Sequence, residues 1–355
     1  MKVRTFMPLV AAALIAVLVL ALGAGTGAAK SDVQAAPAKY KVTLVTDIGG
    51  LDDRSFNFLA NKGLNVAKKK LGIDGTVFIS KSDRDYVPNL TRAARNGSGL
   101  VIGVGFLMAE QVAQVATRFP KTKFAIIDNS GVAKEFSKVH PTNVRGILFK
   151  EQEAGYLVGF LAAKQVVAKP FEGQTKIGAV GGLKIPPVDR FIAGYYAGAK
   201  RASAKVEVTH SYSQDFVDQA KCKEQALNMI ANGAGAVFQV AGQCGLGVLS
   251  AAKEKGVFGI GVDADQGYLG AHVMTSATKK VDVAVYQTID AARKTKALFR
   301  TNFNAIFTVA NGGVGYGKIS SRISPQLKAQ VEAVRKLLAA GKIKGIPQAP
   351  PATTG

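Results

Sequence analysis

Short apolar runs that end in glycine or an acid alternate along this chain with longer segments of helical period. The runs Lys41 to Asp47, Thr76 to Ser80, Leu100 to Gly105, Phe124 to Asp128, Val144 to Phe149 and Lys176 to Gly181 read as strands. So do Val206 to Ser211, Ala236 to Ala241, Phe258 to Asp263, Val273 to Ser276 and Phe307 to Val309. Many are apolar throughout, the pattern of strands covered on both faces. Between them lie helical patterns such as Glu151 to Lys164, Val188 to Ala204, Gln219 to Asn232 and Val281 to Arg300. The alternation predicts an α/β fold with two doubly wound parallel sheets of about five strands each.

After the first residues the remaining chain exceeds the size at which a single core stops growing, so two lobes with a cleft between them are expected. The boundary is placed after Phe149, with later segments crossing back. This gives an N-terminal lobe of 40–148 plus about 273–306 and a C-terminal lobe of 149–272 plus about 307–345. The end, 346–355, has no apolar periodicity and is expected to be disordered.

At the start, Lys2 and Arg4 precede an uncharged stretch from Phe6 to about Gly23, and small residues follow to Ala29. This is the layout of an export signal over 1–29, with an uncleaved membrane anchor as the alternative. Both place the protein outside the cytoplasm, periplasmic or associated with a bacterial cell surface. Residues 30–39 are small, polar and proline-containing, which suits a flexible tether.

The chain carries 46 Lys+Arg against 24 Asp+Glu, a formal charge of +22. The lysines are scattered, and no basic stripe is interleaved with aromatics as a nucleic-acid groove requires, so a solvated basic surface is expected and nucleic acid is not a partner. Such a surface also favours anionic lipid headgroups. With only two cysteines, Cys222 and Cys244, and no Cys/His cluster, a structural zinc site is excluded by ligand count. Export makes a Cys222–Cys244 disulfide the natural reading, against two separately buried thiols. The bond would close a loop of about 20 residues, worth roughly 3 kcal/mol in the loop-entropy view.

No phosphate-binding loop of Walker type occurs, and Gly242-Gln-Cys-Gly-Leu-Gly247 has the wrong glycine spacing for a dinucleotide fingerprint, so no nucleotide cofactor is expected. His140, His210 and His272 have no partners at motif spacing, and Asp263-Ala-Asp265-Gln-Gly267 lacks the remaining ligands of a calcium loop. What remains is a set of loops at the carboxyl ends of strands, where open α/β sheets place ligands. These loops are Asp47 to Asn57, Gly103 to Phe106, Asp128-Asn129, Gly181-Gly182, Ser213 to Phe216, Gly242 and Asp263. Carboxylates and amides beside phenylalanines suit a flat, uncharged, polyhydroxylated molecule. An anion would call for arginines or bare helix amino termini.

At these residues the chain resembles the basic membrane protein family, the purine nucleoside receptor A-like substrate-binding proteins of ABC importers. The resemblance runs from about Lys41 to Lys342. Its carrying segments are Asp47-Ile-Gly-Gly-Leu-Asp-Asp-Arg-Ser-Phe-Asn57, Ala125-Ile-Ile-Asp-Asn129, Glu153-Ala-Gly-Tyr-Leu-Val-Gly159, Phe191-Ile-Ala-Gly-Tyr-Tyr-Ala-Gly198, Val240 to Gly247, Gly261 to Gln266 and Thr275 to Lys279. It implies a type I periplasmic-binding-protein fold, two lobes joined by a hinge, and a monomer that binds a nucleoside and docks on a membrane permease. By the same resemblance Phe56 and Phe216 would sandwich the base and Asp128 would bond its edge. Asp263 and Lys279 would hold the ribose hydroxyls, with Asp47, Ser55 and Gly242 lining the rest. Two features depart from the family: Ala21 to Gly25 offers no cysteine for lipidation, and the Cys222, Cys244 pair is not general among relatives. Two other classes fit the same residues less well, a ligand-sensing module of a signalling system and a secreted nucleoside hydrolase. No catalytic residue is assigned.

Overall fold

A computed structural model of the chain describes residues 38–130, 141–294, 299 and 304–352. The expected export signal, nearly all of the tether, His140 and the last residues of the helix expected to reach Arg300 lie outside the described residues. The chain separates into a unit of residues 1–38 and a unit of 39–355, and every described helix and strand belongs to the second.

The elements run β1 (Lys41–Val45), α1 (Phe56–Leu71), β2 (Asp74–Phe78), α2 (Tyr86–Arg95), β3 (Leu100–Gly103), α3 (Ala109–Arg118), β4 (Lys123–Ile127) and β5 (Val144–Phe149). Next come α4 (Glu151–Ala168), β6 (Lys176–Gly181), α5 (Pro186–Ala202), β7 (Glu207–Tyr212), α6 (Gln219–Ala231), β8 (Ala234–Val240), α7 (Gly245–Glu254) and β9 (Phe258–Asp263). The chain ends with β10 (Val273–Lys279), α8 (Val281–Lys294), β11 (Ala305–Phe307), β12 (Val314–Tyr316) and α9 (Pro325–Ala339). Residues 346–352 carry no helix or strand.

The strands form two six-stranded sheets, ordered β11-β5-β4-β3-β1-β2 and β12-β10-β9-β8-β6-β7. Apart from β11 and β12 the two orders are the same path walked twice. In each, the first strand lies between the second and the third, so the connections leave a crevice at the carboxyl ends of the strands. The first sheet is parallel throughout, whereas β12 pairs antiparallel with β10. Each sheet therefore holds one strand more than the expected five. The strand missed by the sequence reading is β12, three residues of Val-Gly-Tyr with too little apolar run to register.

The expected lobe boundary near 273 is displaced. β10 hydrogen-bonds to β9 and β12 in the second sheet, so the chain re-enters the first lobe only after Lys279. The return then brings α8 against α1, where a Cβ on Gly63 would lie 2.4 Å from the Asp282 carbonyl oxygen. Crossings between the lobes occur at Lys150, at Lys280 and between Phe307 and Val314, and they are tied to one another. Lys150 N–H donates to the Phe307 carbonyl (2.8 Å), and Lys280 N–H to that of Gly313 (2.8 Å). The Phe149 and Phe307 rings stack at 4.9 Å in the same place.

The second lobe is organised around α4, which is apolar on nearly every side and buried along most of its length. It lies against α5 at a separation that only glycine permits. A Cβ on Gly159 would stand 2.1 Å from the Tyr195 carbonyl oxygen, and one on Gly198 2.0 Å from that of Tyr156. This close pairing fixes α5, and with it the inward-facing Phe191.

Candidate functional site

The crevice ends of the two sheets face each other across a cavity of about 630 Å³ of empty space, partly open to solvent. Its lining includes Asp47, Phe56, Asp128, Phe216, Gly242, Asp263 and Lys279, which the sequence reading had singled out, together with Asp53, Asn57, Phe106, Val188 and Phe191. Phe56 opens α1 in the first lobe, and Phe216 lies between β7 and α6 in the second. The cavity thus receives aromatic side chains from both lobes.

The repeated strand order gives the two lobes matching acids. Asp128 follows β4 and Asp263 ends β9, and both take left-handed backbone conformations, with φ of 71° and 57°. Short polar side chains tolerate this region better than most. Asp263 still pairs with Thr278 and Asp128 N–H still donates to the Ile147 carbonyl (2.8 Å), so each ladder ends at its acid, where the backbone turns at the crevice.

Lys279, at the end of β10, is 1 % exposed. Its ammonium lies 2.6 Å from Asp128 Oδ1 across the cleft and 3.0 Å from Glu151 Oε1 at the start of α4. Arg190 Nη1 approaches the other oxygen of Glu151 at 3.4 Å. Lys279 Nζ also sits 5.0 Å from the Phe56 ring centre, 4.9 Å from that of Phe149 and 5.9 Å from that of Phe191. Burial alone would release the lysine proton, but Asp128, Glu151 and Asp263 outweigh it and hold the ammonium above its usual range. Glu151 is shifted upward by its own burial, opposed by Lys279.

Burial lifts the Asp263 carboxyl to about 7, against the pull of Lys279 and a hydrogen bond from Ser55. Its Oδ2 accepts that bond from Ser55 Oγ at 2.9 Å, while Oδ1 is buried without a hydrogen-bond partner among the described residues. Buried acceptors are nearly always satisfied, so an open oxygen beside a cavity marks a place for a donor from a ligand. Burial also raises Asp47, to about 6. Asp47 Oδ1 accepts from the Tyr86 hydroxyl and from Ile48 N–H (2.8 Å). Its Oδ2 fills the space left by Gly105, where a Cβ would lie 2.1 Å away.

Ser55 does not line the cavity as expected. It is fully buried behind the wall, and its hydroxyl also reaches the Val262 carbonyl oxygen at 3.2 Å, so it joins the lobes through Asp263. Asp53 was read only as one acid of the first loop, yet it organises α1. Its carboxylate accepts from the N–H groups of Ser55 (3.0 Å), Asn57 (2.7 Å) and Phe58 (3.0 Å), the otherwise unpaired donors of the helix start. That cap holds Phe56 at the head of the helix. Glu151, Arg190, Tyr86 and Phe191 also went unassigned in the sequence. An acid opening an apolar helix points to Glu151 and an aromatic inside a glycine-containing helix to Phe191, while nothing in the sequence pattern marks Tyr86 or Arg190. Asp265, read in the calcium-like stretch, accepts from Gly267 N–H (3.2 Å) and Lys318 N–H (2.9 Å) and so shapes a turn.

The cysteines are joined. Cys222 and Cys244 form a disulfide between the first turn of α6 and the residue before α7, with Cα atoms 5.6 Å apart. No helix among the described residues is long and apolar enough to cross a membrane.

Residues 40–346 match the family described as Bmp, ABC transporter substrate-binding protein PnrA-like. The chain is 33% identical over 374 residues to a CD4+ T-cell-stimulating antigen of Listeria innocua, covering 99% of this chain and 100% of that one. It is 34% identical over 341 residues to the ABC transporter nucleoside-binding protein BmpA of Lactococcus lactis, covering 90% of each. Among solved structures, an ABC transporter solute-binding protein from Aeropyrum pernix superposes with a TM-score of 0.76 at 29% identity, covering 87% of this chain and 94% of that one. Sequence, sheet order and the cavity between the lobes agree: this chain belongs to the Bmp family of PnrA-like ABC transporter substrate-binding proteins.

Proposed function

We propose that this protein binds a nucleoside, purine by preference, in the interlobe cavity outside the cytoplasm and delivers it to the permease of an ABC importer. The observation that carries the reading is the make-up of the cavity wall: Phe56 and Phe216 from opposite lobes, buried carboxylates of Asp47, Asp128 and Asp263, and a single lysine, Lys279. Aromatic faces suit a flat base, with stacking worth about 1–3 kcal/mol per base. The open oxygen of Asp263 and the ammonium of Lys279 suit ribose hydroxyls, and Asp128 and Asp47 suit N–H groups on the base edge. The acid-rich wall disfavours a phosphate, so the ligand is a nucleoside and not a nucleotide. The name of the Lactococcus lactis relative points the same way.

In this reading the ligand first contacts one lobe, and bending at the linked crossings brings the other over it. Affinity then includes the preference for the closed arrangement. The permease reads that arrangement, and the basic surface remains solvated.

The test is a thermal-shift screen of the mature protein, stripped by unfolding and refolding, against adenosine, guanosine, inosine, cytidine, uridine, the free bases, ribose and adenosine 5′-monophosphate. A ligand that binds only the native state raises its melting temperature. Expected is a rise with purine nucleosides, less with pyrimidine nucleosides and none with the monophosphate. A rise with ribose alone, or with no nucleoside, contradicts the reading.

A further inference from the structure

The geometry points to the Cys222–Cys244 disulfide as a positioning element of the cavity: it fixes the segment that carries Phe216, so ligand affinity as well as fold stability depends on it. The affinity half of this inference rests on the nucleoside reading. The positional half does not.

Phe216 belongs to a connector between β7 and α6 whose first residues still pair with the β6 end, Ser213 N–H donating to the Gly181 carbonyl (2.8 Å) and Gln214 N–H to that of Gly182 (3.0 Å), before the chain leaves the sheet. Three features seat it. Cys244 N–H donates to the Phe216 carbonyl oxygen at 3.0 Å. Gly182 leaves room for the ring, since a Cβ there would lie 2.3 Å from Phe216 Cε1. Gly242, with φ of 55°, turns the backbone beneath the same ring, where its Cβ would stand 3.7 Å from Cδ1. On its far side the connector runs straight into α6. Asp215 Oδ1 accepts from Val217 N–H (2.8 Å) and Asp218 N–H (3.0 Å), and Asp218 caps α6 through Ala220 N–H (2.9 Å). The place of Phe216 is therefore set from both ends, by the β6 end on one side and by the start of α6 and Cys244 on the other.

α6 buries Cys222, Ala226 and Ile230, meets α7 closely where a Cβ on Gly247 would lie 2.0 Å from the Gln219 carbonyl oxygen, and is tied to β7 through Gln225; the disulfide is the covalent one of these ties. The disulfide joins its first turn to Cys244, whose own N–H holds the Phe216 carbonyl. One covalent link thus ties the start of the helix, the seat of the aromatic side chain and the Gly242 turn into one unit. Without it, α6 can shift along α7, and the connector shifts with it. Both cysteines are fully buried, so the link is a fixed part of the wall and not an exposed redox sensor.

The test compares the wild type with the Cys222→Ala/Cys244→Ala variant, both shown to be folded by far-ultraviolet circular dichroism. Hydrogen exchange is followed first, on ligand-free protein. Expected is exchange about tenfold or more faster at the amides of 214–218 and 244, with the core strand β8 unchanged. Nucleoside affinity is then measured in a double-mutant cycle with Phe216→Ala. Loss of the disulfide should weaken binding by about tenfold in the presence of Phe216 and by much less in its absence. Unchanged exchange in the connector, an unchanged affinity, or losses that simply add would each overturn the inference. If the oxidised wild type binds no nucleoside, the functional reading has failed, and the exchange arm alone decides whether the disulfide positions Phe216. Should the paired variant not fold, the same measurements are made on wild-type protein reduced with a phosphine, its two thiols verified by alkylation.

Discussion

Burial lifts Asp263 to about 7 and Asp47 to about 6, from an ordinary value of 3.8, so both retain protons in the folded protein at pH values where the unfolded chain has lost them. The folded state binds more protons, and stability therefore falls as pH rises. This contribution is fully present below about pH 4 and is lost by about pH 7, in the range of a few kcal/mol for the ligand-free protein. Asp263→Asn should flatten that decline in urea melts taken between about pH 4.5 and about pH 7.5, and an undiminished slope would show that Asp263 is not the proton carrier. If the proposed nucleoside reading holds, the same substitution should weaken nucleoside binding by about tenfold or more, since it replaces one acceptor oxygen of the carboxylate proposed to face the ribose. Asp47, Asp128 and Asp263 were legible as candidates because each stands at or just beyond a strand end, where an open sheet places its ligand, whereas Lys279 came only from the family resemblance. Glu151 and Arg190 were not legible. Their importance comes from Lys279, which lies far along the chain and reaches them only because β10 belongs to the second sheet. Ser55 was legible as a member of the site loop but not as a link between lobes, because its partner is Asp263, 208 positions away.

α4 and α5 place Phe191, Arg190 and Glu151, and they do so through contact of backbone with backbone. Gly159→Ala drives a methyl group into the Tyr195 carbonyl oxygen and must push the helices apart, at a cost of about 1–3 kcal/mol. The expected sign is a lower urea midpoint together with weaker ligand binding. An unchanged midpoint would mean that the helix pair has slack enough to take the methyl group. The glycine- and alanine-rich composition of α4 was evident from its residues, whereas the identity of the helix it would touch was not. Strand positions were largely legible because most strands are apolar throughout and end at glycine or an acid. β10 proved longer than the expected Val273 to Ser276, reaching Lys279. Its end is polar, with Lys279 lining the cleft, so the hydrophobic pattern stops before the hydrogen-bonding does. The lobe boundary was drawn before this strand and not after it, because an apolar run does not say which sheet it joins.

At the largest scale, the described strands of residues 39–355 follow one path twice, and the two lobes meet over a charged and aromatic seam. Ser55 to Asp263 and Lys279 to Asp128 bridge that seam directly, so they bear on closure as well as on contact with ligand. Asp128→Asn leaves Lys279 facing a neutral amide and should shift the ligand-free protein toward the open arrangement. Small-angle X-ray scattering would show this as a larger radius of gyration that nucleoside only partly restores, and a radius equal to that of the wild type would refute it. Whether a nucleoside binds with its base between Phe56 and Phe216 is decided by calorimetric titration of inosine and adenosine into stripped protein. Expected is saturable binding with one site per chain, weakened by about 1–3 kcal/mol, or roughly five- to a hundredfold, in Phe56→Ala and again in Phe216→Ala. Binding of equal strength in both variants, or none in the folded wild type, would contradict the stacked-base pocket.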